Sequence, residues 1–203
     1  MKKNIRCISE AISFLSGHFL YTLRISLPVM LLLAACLTWV PWAAIVPFCF
    51  LQGIMFRLLD VKERGFEVGA QRMPSVYRAA ARNVLTALNP KVWLKALKYY
   101  FRHFRTFLSL TVTCLLFYGF VCFMVSVPQI AIRVIKMAIA TSQQTGDTVS
   151  LPDGLHWKFY AVLFVINYLL SIVLADCLLP FPLRRKICRT EDAEIETIIP
   201  KKK

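Results

Sequence analysis

Apolar positions recur along this chain in two ways, as single helical faces and as continuous runs, and their alternation lays out the elements. Within residues 1–24, Ile5, Ile8, Ile12, Leu15, Phe19 and Leu23 return at spacings of three and four, beside Lys2, Lys3, Arg6 and Arg24 and one acid, Glu10. This pattern predicts an amphipathic helix that lies in a membrane interface or leads into the first span. Ile25 to Phe56 then carries no charge over 32 residues. One straight helix of that length would measure about 48 Å at ~1.5 Å per residue, against a hydrocarbon core of ~30 Å, so the run has to fold back. Pro41, between Val40 and Trp42 and followed by Pro47, is the place for the turn. Residues 25–56 are therefore expected to form an apolar hairpin, either two spans or a wedge that re-enters the leaflet it left. Each arm alone is short, about 24 Å, so a spanning first arm must take in residues before Arg24 and let that side chain snorkel to the phosphates.

Residues 57–106 change character, with eleven Lys and Arg against Asp60, Glu63 and Glu67. A polar connector precedes a helix expected over about 74–88, and a second helix is expected to start at Asn89-Pro90, an N-cap followed by a proline suited to the first helical position. In that second helix Lys91, Lys95, Lys98, Arg102 and Arg105 are spaced 4, 3, 4 and 3. At ~100° per residue they fall within one arc about 80° wide, with Trp93, Ala96, Leu97, Tyr100, Phe104 and Phe107 opposite. This is the pattern of a helix lying on a membrane surface and feeding a spanning one.

Phe107 to Ile132 is a second charge-free run, of 26 residues, expected to span as far as about Val127 before Pro128. Residues 133–157 read as an extracytoplasmic loop and residues 158–183 as the last span, interrupted by Asp176. A basic tail over 184–203 opens with Arg184, Arg185 and Lys186. The fold class that follows is all-α: a polytopic membrane helical bundle with about four transmembrane helices and cytoplasmic amphipathic helices.

Composition agrees. The chain is 58% hydrophobic and only 18% charged, with mean hydropathy +0.59, against about 25% charged residues in soluble domains. Lys and Arg number four before Ile25, eleven over 57–106, three over 128–158 and seven after Leu183. The positive-inside rule then puts both termini and the 57–106 segment in the cytoplasm, and the MKK start and the Leu33-Ala34-Ala35-Cys36 run suit a bacterial inner membrane. That run has the form of a lipidation motif, but the charged leader before it is long and apolar sequence continues past Cys36, so it reads as ordinary helix.

The net charge of +14 does not point to nucleic acid, because the cations flank apolar runs and no zinc-finger, RRM, KH or helix-turn-helix signature accompanies them. Seven cysteines show no C-x-x-C pair, and His18, His103 and His156 stand far apart, so neither a metal site nor a cofactor is expected. No G-x-S-x-G, P-loop, H-E-x-x-H or cluster of intramembrane carboxylates occurs, so a membrane enzyme acting on lipid substrates ranks third, behind a noncatalytic role and a transporter or channel subunit.

Two groups of residues remain as candidates. The first is the basic aromatic surface of Lys91, Trp93, Lys95, Lys98, Tyr100, Arg102 and Arg105, offered to anionic membrane lipid, a protein partner or a second copy of the chain. The second is the set of intramembrane polar groups. Asn167 is expected to bond across helices to Thr111, Thr113 or Ser126, Asp176 to meet Arg184 or Arg185 near the inner surface, and Arg24 to snorkel or to serve as counter-charge to Asp176. The competing function, a small transporter or channel subunit acting as an oligomer, would use this second group.

Overall fold

In a computed structural model, which describes residues 2–144, 155–186 and 189, the chain is helical with short connections, and no strand occurs among the described residues. The helices are α1 (Lys2–Gly17), α2 (Phe19–Trp39), α3 (Ile45–Glu63), α4 (Met73–Ala87), α5 (Pro90–Arg102), α6 (Phe104–Gln144) and α7 (Leu155–Asp176). Four stretches are long and apolar enough to cross a membrane: Phe19–Trp39, Pro41–Glu63, Phe104–Ile139 and Trp157–Lys186. The protein is an integral, multi-pass helical membrane protein.

The hairpin turns at Val40, whose backbone leaves the helical region, and a 3-10 turn over Pro41–Ala44 starts the return. The amphipathic leader ends at Gly17 rather than near residue 24. His18 adopts φ −121° and ψ 23°, and α2 begins at Phe19. That gives α2 21 residues, about 31 Å at ~1.5 Å each, enough to cross.

The second difference is at Pro128. The sequence suggested a helix end there and a loop from residue 133, whereas α6 continues through Pro128 to Gln144 for 41 residues. A proline inside a helix forfeits its own N–H bond and strains one turn. Unwinding a helix in hydrocarbon would orphan several backbone groups, each at a cost of several kcal/mol, so continuing is the cheaper course. Pro28 sits inside α2 in the same way. The polar remainder of the expected loop, 145–154, and the tail residues 187–188 and 190–203 lie outside the described residues.

The core lies between α2, α3, α4 and α7, where Ile25, Leu33, Leu51, Ile54, Leu58, Val76 and Leu179 are fully or almost fully buried. α7 is the spine of the bundle, packing on α2, α3 and α6. A smaller cluster of Cys7, Ile8, Leu110, Cys114 and Tyr118 fastens α1 to α6, where Asn4 Nδ2 also donates to Ser109 Oγ at 2.8 Å. α6 leaves Leu115, Leu116, Phe120 and Phe123 uncovered, the surface expected of a helix that faces lipid.

α4 docks into the hairpin. Gly53 of α3 makes room for it, since a Cβ there would sit 3.1 Å from the Ala80 carbonyl oxygen. The Tyr77 ring meets Phe50 edge-on, and its hydroxyl donates to the Ile25 carbonyl of α2 at 2.6 Å. Tyr77→Phe is expected to cost about 0.5–1.5 kcal/mol, the worth of one such bond. Burial raises the Tyr77 phenol above its ordinary 10.0. The folded state thus holds this proton longer than the unfolded chain, so the contribution is complete below about pH 10 and is lost as pH rises through the folded value. The difference in thermal midpoint between wild type and Tyr77→Phe should shrink in alkaline buffer; a constant or growing difference would contradict this.

Candidate functional site

α5 forms as its first residues dictate. Asn89 has extended backbone angles, its side-chain oxygen accepts from the Lys91 N–H at 3.0 Å, and Pro90 occupies the first turn. Trp93 Nε1–H donates back to the Ala87 carbonyl at 2.6 Å, holding α5 to the end of α4. Beyond those ties only Tyr99 and Tyr100, near its end, are partly covered. None of its residues is buried, and Trp93, Leu94, Leu97 and Phe101 are 60%, 68%, 47% and 66% exposed.

The five cations do not share one helix. Backbone continuity breaks at His103, with φ −113° and ψ 31°, so Lys91, Lys95, Lys98 and Arg102 belong to α5 and Arg105 to the first turn of α6. The break is held by rings packed across it. Tyr99 and Phe107 have centroids 5.7 Å apart, and Tyr100 and Phe104 5.9 Å. In a straight helix, residues 99 and 107 would be about 12 Å apart along the axis, so the chain bends and the rings fill the bend. All five cations are exposed, and none makes an ion pair among the described residues. Tyr100 faces the aromatic cluster, while Trp93 lies on the uncovered apolar side.

The intramembrane polar residues do something different. Asn167, 3% exposed, donates from Nδ2 to Thr38 Oγ1 of α2 at 2.9 Å and accepts at Oδ1 from Gln129 Nε2 of α6. One side chain of α7 thus ties three helices at one level. The partners expected from sequence, Thr111, Thr113 and Ser126, are not the ones used. The persistence of α6 through Pro128 brings Gln129 level with Asn167, while Thr113 is bonded from Asn4 at 3.4 Å and Thr111 bonds back to the Phe107 carbonyl.

Asp176 meets Tyr118, whose hydroxyl donates to Oδ2 at 2.6 Å, and not Arg184 or Arg185. Its other oxygen, Oδ1, is buried without a partner, as are Nε and Nη1 of Arg184. The carboxylate sits at the end of α7, bonded to α6, and no ion pair joins it to Arg184 among the described residues. Arg24 is exposed on α2 and makes no ion pair among the described residues, Asp176 included, so it is not the counter-charge of Asp176. A third tie, missed as a specific bond in sequence, runs from Gln52 Nε2 of α3 to the Leu174 carbonyl of α7.

Among the described residues no group of three or more His, Cys, Asp or Glu side chains converges on a metal-sized site. The geometry divides into a spine of interhelical bonds inside the bundle and an uncovered amphipathic helix beside it. No family model matches this chain, and no curated protein or solved structure does.

Proposed function

We propose that this is a noncatalytic multi-pass membrane protein whose α5 lies in the headgroup layer of the cytoplasmic leaflet and binds anionic phospholipid. The observation that carries the reading is that α5 has no buried residue although one side is apolar and the other cationic. A helix of 13 residues is marginal in water on its own, and the described residues leave its apolar side uncovered. A bilayer surface covers Trp93 and Leu97 while leaving the ammonium and guanidinium groups at the level of the phosphates. α5 also runs directly into α6, one of the four long apolar stretches, which tethers it at membrane level. Transport has less support, because Asn167 is engaged on both sides by Thr38 and Gln129, and one carboxylate oxygen of Asp176 by Tyr118.

Sidedness follows from charge. With eleven cations over 57–106 and three over 128–158, α5 belongs inside a bacterial inner membrane, with both termini cytoplasmic. Single-cysteine variants test this. A cysteine at Trp42, in the hairpin turn and 82% exposed, should label from outside intact cells, and one at Ser75 only in inverted vesicles. Position 42 unreactive from both faces would make the hairpin a wedge.

Lipid choice tests the function itself. Spin-labelled phosphatidylglycerol should be held at the protein surface several-fold more than phosphatidylcholine, and the preference should fall as salt shortens the Debye length from ~10 Å at 0.1 M to ~3 Å at 1 M. Equal retention of the two lipids at low salt would reject the proposal.

A further inference from the structure

A cleft of about 580 Å³ opens where α3, α4, α5, the start of α6 and the chain after α7 meet, within the range of ligand pockets. Phe56, Leu59, Phe107 and Phe181 supply its apolar lining. Its polar lining carries both signs of charge, Asp60 and Glu63 against Arg185, with Asn83 and the Tyr99 side chain beside them. Asp60 is already committed, to Arg57 at 2.8 Å and to Arg64 at 3.0 Å. Glu63 and Arg185 are not. Among the described residues neither makes an ion pair or a side-chain hydrogen bond, with each other or with anything else. One cleft therefore holds a free acid and a free cation that line it together without neutralising one another.

We propose that this cleft binds the headgroup of a phospholipid bearing a primary amine, a phosphoethanolamine lipid, with its phosphate on Arg185 and its ammonium on Glu63. A purely anionic headgroup would meet Glu63 and Asp60, and a purely cationic ligand would meet Arg185; a zwitterion satisfies both and escapes both repulsions. A guanidinium forks onto phosphate oxygens. A primary ammonium offers three donors to a carboxylate, an amide oxygen or a phenol oxygen, whereas a choline headgroup offers none. The ligand is a lipid and not a soluble zwitterion, because six of the ten lining residues are apolar or aromatic and Phe107 and Leu59 both belong to apolar spans that end here. None of the α5 cations lines the cleft, so this site and the anionic-lipid surface are separate.

The test is native mass spectrometry of the full chain in detergent, titrated in turn with phosphatidylethanolamine, phosphatidylcholine and phosphatidylglycerol. One retained phosphatidylethanolamine is expected, preferred about tenfold over phosphatidylcholine, equivalent to ~1.4 kcal/mol. At these exposed positions, Glu63→Gln should erase that preference, Glu63→Asp should keep most of it, and Arg185→Gln should lower retention of phosphatidylethanolamine and phosphatidylcholine alike, since both carry the phosphate. The variant with all five cations of the basic surface changed to Gln should lose phosphatidylglycerol and keep phosphatidylethanolamine, which separates failure of one site from failure of the other. Equal retention of the ethanolamine and choline lipids by wild type would overturn the proposal, as would a preference that survives Glu63→Gln or undiminished retention of both lipids by Arg185→Gln. Displacement of the lipid by an equimolar amount of soluble glycerophosphoethanolamine would overturn the assignment to a lipid.

Discussion

Changing Lys91, Lys95, Lys98, Arg102 and Arg105 together to Gln should abolish the protein's preference for phosphatidylglycerol and leave the bundle folded. Each cation near an anionic surface contributes up to ~1 kcal/mol, so about 5 kcal/mol is the ceiling for the set. The fold is insulated from the change because all five side chains are exposed and make no ion pair among the described residues. Gln keeps the helix propensity of Lys and Arg nearly intact. The Asn89 cap and the Trp93 bond to the Ala87 carbonyl also remain. Thermal midpoint should therefore stay near that of wild type while spin-labelled phosphatidylglycerol is released to the level of phosphatidylcholine. Undiminished selectivity in the charge-stripped protein would show that the anionic preference, if any, arises elsewhere.

Asn167→Leu should do the opposite, weakening the bundle by about 1–3 kcal/mol without altering lipid choice. Single interhelical hydrogen bonds in membranes are worth roughly 0.6–2 kcal/mol, and this side chain makes two, to Thr38 and Gln129. Leucine also strands the Gln129 amide where water is scarce. Thr38→Val should cost less, since it removes only one of the two interhelical bonds of Asn167; the other bond of the Thr38 hydroxyl stays within its own helix, to the Ala34 carbonyl 2.7 Å away. A double-mutant cycle between positions 38 and 167 isolates the bond itself. Wild-type resistance to denaturant in Asn167→Leu would remove the three-helix tie from the account. Loss of solute flux with stability intact would favour transport instead.

The sequence shows the long apolar runs and the hairpin turn because proline and the absence of charge over Ile25–Phe56 are local signals. The start of α5 is legible for the same reason, since an Asn-Pro pair caps a helix whatever lies around it. The stripe of cations is legible only in part. Period predicts one helix from 91 to 105, and only the packing of Tyr99, Tyr100, Phe104 and Phe107 reveals the bend at His103. Pairings across helices are the least legible. Gln129 follows a proline that reads as a helix end, and the docking of α4 depends on Gly53 meeting Ala80, residues 27 positions apart with no signal joining them. Asp176 meets Tyr118 across 58 positions, where proximity to Arg184 along the chain suggested a different partner.

The most direct measurement is a nitroxide scan of positions 90–105 in vesicles containing phosphatidylglycerol, reading the ratio of oxygen accessibility to that of a water-soluble relaxant. For a helix lying in the headgroup layer this depth signal oscillates with the helical period of ~3.6 residues. It should peak at Trp93 and Leu97 and reach its minima at Lys91, Lys95, Lys98 and Arg102. Uniform exposure to the water-soluble relaxant along the whole segment would place α5 in the cytosol, away from lipid, and would contradict the proposed role.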